Sequence, residues 1–138
     1  MNAYNKPLPY LDPESRPFWE GAKAHKLLLV QCRSCKTHRF PPTTFCAKCS
    51  SGDYDWVEAK GTGKIFSWIV VRHPVPKEVY AAEVPYIVAL VALDEGVRMT
   101  SNIIDCKPED VTADMRVSVT FRDVTPEITL PAFKPVKG

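Results

Sequence analysis

The sequence predicts a mainly β protein with one N-terminal helix, a metal-binding ribbon and a C-terminal barrel of five strands. Two observations carry this prediction. Residues 32–49 (CRSCKTHRFPPTTFCAKC) hold two CxxC pairs, and the chain after them falls into short runs bounded by Gly, Pro and Asp. Such runs, rich in β-branched and aromatic residues, are typical of strands. At 138 residues, the chain is long enough for one core, or for a small core and a satellite module.

The first predicted element is a short helix. Ser15 stands where an N-cap is expected, Pro17 is tolerated in the first turn, and Phe18 and Trp19 place apolar bulk on one side before the helix runs on through His25. We expect the aromatic pair to pack on the following module as a structural lid. Stacking of Trp19 on a ligand is the less favoured interpretation.

Four cysteines form the second element, Cys32 with Cys35 and Cys46 with Cys49, and ten residues separate the two pairs. A tetrahedral metal needs thiolates that converge at about 2.3 Å, which two CxxC turns can supply. Four protein ligands close the coordination sphere, so the metal should hold structure and not catalyse. Zinc is favoured, although iron accepts the same ligands. His38, between the pairs, is expected to be an exposed loop residue.

Charge is distributed unevenly along the chain. Between residues 21 and 52 there is no acidic residue, whereas six are basic: Lys23, Lys26, Arg33, Lys36, Arg39 and Lys48. The rest of the chain holds the other twelve basic residues against sixteen acidic ones. This pattern predicts a basic head on an acidic body and favours an anionic partner for the head. A solvated, lysine-rich surface is the alternative.

The strands follow the ribbon. They are predicted at residues 54–60, 63–71, 86–93, 97–104 and 117–123. Residues 94–96 (DEG) indicate a tight hairpin, and Gly61 and Gly63 a bend or bulge at a barrel corner. Residues 107–115 should form one helical turn before the last strand, and the proline-rich ends of the chain should lie extended on the surface.

Both faces of the predicted strand at 86–93 (YIVALVAL) are apolar, and the strand at 63–71 is similar. One face can fill the barrel, but the other must be covered by something else. Exposed apolar area beyond a few hundred Å² usually marks a protein interface. We therefore predict an interface with a partner chain or a second copy, which includes Phe66 and Trp68 on one strand face together with Tyr86 and Val88.

The catalytic inventory is thin. His25, His38 and His73 lie in no recognisable nucleophile or hydrolase signature. Cys106 follows an apolar strand and is expected to be a buried, inert thiol. The chain shows neither a secretion signal nor an apolar run of membrane length, so a cytoplasmic protein with reduced thiols is expected. The sequence does not predict an enzyme that works alone.

The order of these features resembles the family called domain of unknown function 35 (DUF35). The residues that carry the resemblance are PFWEGAKAHKLLLVQC, CRSC, CAKC, RFPPTTFC, KGTGKIFSWIVV, PYIVALVALDEGVRMTSNII, CKPEDV and LPAFKP. It implies an N-terminal helical segment at 1–26, a rubredoxin-like zinc ribbon at 27–58 and an OB-fold barrel at 59–138. The family often has glycine where this chain has Asp114, which can adopt the left-handed conformation.

The resemblance also implies a function. We expect a non-catalytic accessory subunit that forms a hetero-oligomer with a thiolase-superfamily partner, a thiolase or an aldolase, and helps to bind or position its acyl-CoA. The complex would be an acyltransferase or a carbon–carbon lyase, with the nucleophile and base on the partner. Lys36 and Arg39 are predicted as cations for the phosphates of coenzyme A, and Phe40 as an aromatic face for its adenine.

Two alternatives remain open. Zinc ribbons and OB barrels also bind nucleic acid, so a single-stranded nucleic-acid module is the first. Against it, the barrel segment is acidic and no basic residues interleave with Phe66 and Trp68. The second is a self-contained CoA-dependent enzyme that uses Cys106.

Overall fold

The computed structural model describes residues 4–136, which form a mostly β structure with a short N-terminal helix, a ribbon and a closed barrel. The predicted fold class is confirmed. In chain order the elements are α1 (Arg16–Lys23), β1 (Leu28–Cys32), β2 (His38–Arg39), β3 (Tyr54–Glu58), β4 (Thr62–Val71), α2 (Lys77–Tyr80), β5 (Tyr86–Leu93), β6 (Arg98–Ile103), a 3-10 turn (Pro108–Asp110), β7 (Arg116–Asp123) and β8 (Thr129–Pro135). Neither helix in this range is long and apolar enough to cross a bilayer.

The strands form two separate sheets. The ribbon sheet has the order β2-β1-β3 and is antiparallel throughout. The barrel closes in the order β4-β5-β6-β8-β7. All of its pairings are antiparallel except β6 with β8, which are parallel and meet at Ile103 and Phe133. The barrel interior is filled by every second residue of β5, as expected for a strand with one face in the core.

One predicted barrel strand was assigned wrongly. The sequence predicts a barrel strand at residues 54–60, but β3 pairs with β1 in the ribbon sheet. The fifth barrel strand is β8, in a region that was expected to lie extended on the surface. Phe133 of β8 is 0% exposed, and its neighbour Ala132 is also buried. The sequence does not predict this strand, because Pro131 and Pro135 lie in it and proline normally argues against a strand interior.

The predicted face shared by Phe66 and Trp68 was also wrong. The register between β4 and β5 shifts between Ile65 and Ser67, so that Phe66 sits in a β-bulge and is 49% exposed. Beyond the bulge, Trp68 pairs with the buried Ala89 and packs against the core. A bulge inserts one residue and thereby reverses which residues point inward.

Helix α1 connects the ribbon to the barrel. Phe18 belongs to one buried cluster with Leu29 of the ribbon and Phe133 of the barrel. Its ring centroid lies 4.9 Å from that of Trp19, edge to face, and 5.2 Å from that of Phe40. The aromatic pair therefore has the packing role that the sequence predicted.

The ends of α1 differ from expectation. The side chain of Ser15 does not cap the helix; instead, the Ser15 N–H donates to the Asp12 carboxylate at 2.7 Å. The helix ends at Lys23, because His25 turns into the left-handed region at φ +62°. His25 then reaches Asp123 of β7, with 3.0 Å between Nε2 and Oδ1.

Two turns match their predictions. Gly96, at φ +96°, closes the hairpin between β5 and β6, a conformation that glycine adopts without strain. Asp114 adopts the left-handed conformation expected of it, with φ +64°, and donates its N–H to the Ile65 carbonyl at 2.9 Å.

Candidate metal centre and outer barrel face

The four predicted ligand sulfurs converge at the tip of the ribbon, all within 4.8 Å of one another. The Sγ atoms of Cys32 and Cys49 lie 3.5 Å apart, and those of Cys35 and Cys46 lie 3.6 Å apart. A disulfide would bring two sulfurs to about 2.05 Å, so these are free thiols. A tetrahedron with metal–sulfur distances of about 2.3 Å has edges of about 3.8 Å. The sulfur cluster is therefore compact enough for a four-thiolate metal site.

Both CxxC turns use the same backbone geometry. The residue after the second cysteine is left-handed in each, Lys36 at φ +65° and Ser50 at φ +67°. The Lys36 N–H donates to the Cys32 carbonyl at 2.9 Å, and the Ser50 N–H to the Cys46 carbonyl at 2.8 Å. Each turn thus directs two sulfurs to one point, and Lys36 is part of the turn as well as a surface cation.

Hydrogen bonds shift the pKa values of two of the four thiols in opposite directions. The hydroxyl and N–H of Thr37 lower the pKa of Cys35 to about 6. At Cys49 the N–H of Ser51 favours the thiolate, but hydrogen bonding to Cys32 together with burial outweighs it and raises the pKa to about 11. Four thiolates this close need a cation to coexist. The donor set fits zinc, whose ligands must be deprotonated to bind.

Of the three predicted coenzyme A residues, one is exposed and two make contacts within the chain. Lys36 is exposed on its turn. The Arg39 guanidinium donates to the Thr43 carbonyl, at 3.1 Å from Nε and 2.6 Å from Nη2, and lies 4.9 Å over the Tyr54 ring. Phe40 packs against Phe18, the buried aromatic residue of α1. Their role towards coenzyme A stays a prediction.

The basic segment keeps most of its charge available. Arg33 pairs with Asp55 of β3 at 2.8 Å, while four lysines of the segment are exposed. These are Lys23, Lys26, Lys36 and Lys48.

The three histidines lie apart from one another. His25 pairs with Asp123, and His73 is exposed after β4. His38 was expected in an exposed loop, but it lies in β2 and is half-buried. Cys106 is also only half-buried. Burial raises the pKa of the Cys106 thiol, and the nearby charges of Asp110 and Glu109 raise it further, which disfavours the nucleophilic thiolate.

Apolar side chains cover the outside of the barrel along β4 and β5. We call this surface the outer β4–β5 face, and it consists of Phe66, Ile69, Val71, Tyr86, Val88 and Leu90. Ile69 pairs with Val88 across the strands and is 62% exposed. The sequence identified Phe66, Tyr86 and Val88 but missed Ile69, which the alternation in IFSWIVV would have revealed had the bulge been recognised.

The bulge also affects the nucleic-acid alternative. That interpretation depended on Phe66 and Trp68 as a pair of stacking aromatics, and Trp68 lies on the inner side. The Arg98 guanidinium covers the Phe66 ring, 3.9 Å from its centroid. Successive bases need a series of open aromatic faces, which this pair does not provide.

Two family models match adjacent parts of the chain. Residues 19–55 match the rubredoxin-like zinc ribbon domain of ChsH2, and residues 56–122 match its C-terminal OB-fold domain. A DUF35 domain-containing scaffold protein of Methanocaldococcus jannaschii is 37% identical over 108 residues, which cover 77% of this chain and 75% of that protein. The chain belongs to the DUF35 family.

A solved structure described as the Ltp2-ChsH2(DUF35) aldolase is similar to this DUF35 chain throughout. The TM-score is 0.84 at 40% identity, and the match covers 93% of this chain and 98% of that one. A probable enoyl-CoA hydratase alpha subunit of Thermomonospora curvata is 40% identical over 130 residues, or 94% of this chain. A 3-oxo-4,17-pregnadiene-20-carboxyl-CoA hydratase alpha subunit of Mycobacterium tuberculosis is 36% identical over 118 residues, or 86% of this chain. The DUF35 chain spans only 40% and 36%, respectively, of these hydratase subunits.

Proposed function

We propose that this DUF35 chain is a non-catalytic accessory subunit that assembles with a thiolase-superfamily partner, a thiolase or an aldolase, and helps to position its acyl-CoA substrate. The observation that carries the proposal is the outer β4–β5 face. Its apolar side chains lie outside a closed barrel whose interior is already filled, so covering them requires another surface.

The relatives support a role in a complex. One is described as part of an aldolase that combines two proteins, and two others are named as alpha subunits of hydratases that act on CoA thioesters. Names of this kind describe chains that work alongside others. The catalytic inventory of this chain agrees with that role, because its histidines are scattered and its fifth cysteine favours the neutral thiol.

The ribbon would contribute in two ways. Cys32, Cys35, Cys46 and Cys49 would hold zinc as a structural ion, with iron as the alternative. The exposed lysines around them would face the phosphates of coenzyme A at the entrance of the partner, in the reducing conditions of the cytoplasm.

The docking surface can be tested with Ile69→Asp. A buried, unpaired carboxylate opposes association, so affinity for a co-expressed thiolase or aldolase from the same source should fall at least about tenfold. Val136→Asp is the matched control, because Val136 is also an exposed apolar residue but lies beyond β8, beside Arg116. Sedimentation of purified mixtures measures both. The docking surface would be contradicted if the partner did not bind the wild-type chain, or if it bound Ile69→Asp with the same affinity as the wild-type chain.

The coenzyme A role can be tested separately in the assembled complex. Lys36→Gln removes one exposed charge from the ribbon tip and should raise the KM for acyl-CoA about threefold to tenfold, with kcat little changed, since only uniform binding is lost. Lys134→Gln removes a charge from an exposed position on the barrel and should leave KM unchanged. Equal KM values for all three proteins would exclude a contribution from Lys36.

A further inference from the structure

A cavity of 550 Å³ opens on the barrel, away from the cysteine cluster. Its walls come from the N-terminal segment around Lys6, the segment from the end of α2 into the first residues of β5, strand β6 and the residues after it, and the ends of β7 and β8. The volume lies within the range of about 300 to 1,000 Å³ typical of small-molecule sites. The cavity is therefore large enough for a small ligand.

One nitrogen of a charged side chain in this cavity lacks a hydrogen-bond partner. Arg122 of β7 lines the wall and is half-buried, and its Nε is fully buried without any hydrogen-bond partner among residues 4–136. Buried donors are nearly always paired, because an unmade hydrogen bond leaves the full cost of desolvation. Because this Nε is screened from solvent, a ligand in the cavity would meet the rest of the Arg122 side chain, which lines the wall.

The other charged residues of the cavity indicate which charge a ligand should carry. Lys6 and Glu83 pair with each other, 3.7 Å apart, and so cancel. Burial raises the pKa of Tyr4, so its phenol stays neutral, and Arg122 is close enough to oppose that rise. The cavity therefore carries one net positive charge, on Arg122, which favours an anion. A guanidinium binds a carboxylate with particular strength, since two parallel N–H donors match two oxygens.

The rest of the lining is divided between polar residues of β6, which are Thr100, Ser101 and Asn102, and a wall that is apolar and aromatic. Tyr80 and Tyr86 lie with their ring centroids 5.9 Å apart, at an interplanar angle of 34°. Val88, Ile104 and Leu130 complete this part of the wall. Rings and aliphatic groups bury well against such surfaces.

We propose that this cavity binds a small molecule that carries one carboxylate on an apolar, ring-containing body. The carboxylate accepts hydrogen bonds from Arg122, and the body lies against Tyr80, Tyr86 and Leu130. The lining residues all belong to this chain, but Tyr86 and Val88 also belong to the outer β4–β5 face, so the site is tested on the chain without a partner.

The test titrates the full chain with 4-phenylbutyrate and follows the backbone amides of Ser101 and Asn102 by heteronuclear NMR. The matched probe is 4-phenylbutanamide, which has the same ring and chain but no charge. We expect saturable binding of the acid at these amides and at least about tenfold weaker binding of the amide, because charge-assisted hydrogen bonds are lost. No saturation up to roughly 10 mM acid, or equal affinities for the two probes, would overturn the proposal.

Arg122→Gln supplies the second arm. It should weaken binding of 4-phenylbutyrate about tenfold while leaving 4-phenylbutanamide unaffected. Arg72→Gln is the control, because Arg72 is an exposed arginine outside the cavity lining, and it should bind both probes as the wild-type chain does. An acid affinity that survives in Arg122→Gln would overturn the proposal. If Arg122→Gln loses its dispersed spectrum, the comparison of acid and amide on the wild-type chain decides the question.

Discussion

One carboxylate links the hairpin at one end of the barrel to two neighbouring strands. Asp94, in the hairpin between β5 and β6, accepts two hydrogen bonds from the Arg116 guanidinium, at 3.1 and 3.2 Å, and one from the Thr62 hydroxyl. Those bonds join the hairpin to β7 and β4. Hydrogen bonding from Arg116, and next from Thr62, lowers the pKa of the Asp94 carboxyl, because both favour the charged form.

This pKa shift predicts how stability depends on pH. A folded-state pKa below the unfolded value of about 3.9 stabilises the protein above that value, and the effect is lost as pH falls through the folded pKa. Asp94→Asn should therefore lower the melting temperature by a few degrees near pH 7, and the deficit should shrink below about pH 4. Thermal unfolding across this range measures it. A deficit for Asp94→Asn that is constant with pH would refute the linkage.

Gly63 shows what could be inferred about a single residue and what could not. The sequence predicted a bend or bulge around Gly61 and Gly63, and Gly61 does turn, at φ +80°. Gly63 instead lies in regular pairing with Leu93, and a Cβ there would stand 2.4 Å from the Ala92 carbonyl oxygen. Its requirement is close approach of two backbones, which depends on the neighbouring strand and is invisible in local sequence.

At the scale of elements, β8 was the main error, and its cause is physical. Propensity penalises proline in a strand wherever the strand lies, but the cost depends on which backbone groups the neighbours need. Pro131 and Pro135 are tolerated here, where they pair with Phe121 and Val117 of β7. Tertiary context therefore outweighed local preference.

Phe133 offers the direct test of β8. It is among the largest fully buried side chains, so Phe133→Ala should lower the free energy of unfolding by about 3 to 5 kcal/mol, from lost apolar burial and the cavity left behind. The control is Phe45→Ala, at a phenylalanine that is 65% exposed, where the loss should stay within about 0.5 kcal/mol. Urea denaturation measures both. Similar losses for the two variants would contradict the position of β8 in the core.

The bulge at Phe66 limited the prediction of the candidate interface. Alternation alone gives two faces for β4, but it contains no sign of where one extra residue enters. The general inference, that apolar residues lie outside the barrel, needed only composition. Which residues these are depends on the strand register. The sequence therefore predicted Trp68 on the outer face, where the structure has Ile69.

The cysteine cluster was the most predictable part of the site. Each tight CxxC turn directs its two sulfurs to one side, and two such turns ten residues apart are the pattern of a four-thiolate site. The predicted ligand residues near it were less accessible to sequence reasoning. Whether Arg39 and Phe40 face solvent depends on contacts with Tyr54 and α1, which lie far away in the chain.

At the scale of the whole molecule, the metal centre and the barrel are coupled through one core. Phe18 and Leu29 join the ribbon to the barrel cluster, so unfolding of the ribbon should remove support from the barrel. Structural zinc contributes on the order of 10 kcal/mol to folding in small sites.

Cys35→Ser should therefore lose the bound metal and lower the melting temperature of the whole chain. Chelation of the wild-type protein should have the same effect, and elemental analysis with calorimetry measures both. Cys106→Ser is the control, because Cys106 lies outside the sulfur cluster and should retain one metal ion per chain. A Cys35→Ser protein with a full equivalent of tightly bound metal would contradict the assignment of Cys35 as a ligand.

The position of β8 between β6 and β7 constrains the order in which the newly made protein can fold. During translation, the cysteine turns leave the ribosome some eighty residues before the strand that seals the cylinder, since they lie at 32–49 and the strand at 129–135. Until then, β6 and β7 present unpaired backbone to other nascent chains. Early metal binding would fix the structure of the cysteine turns first. Pairing of the last strand with β6 and β7 would then remove the unpaired edges through which the chain can aggregate.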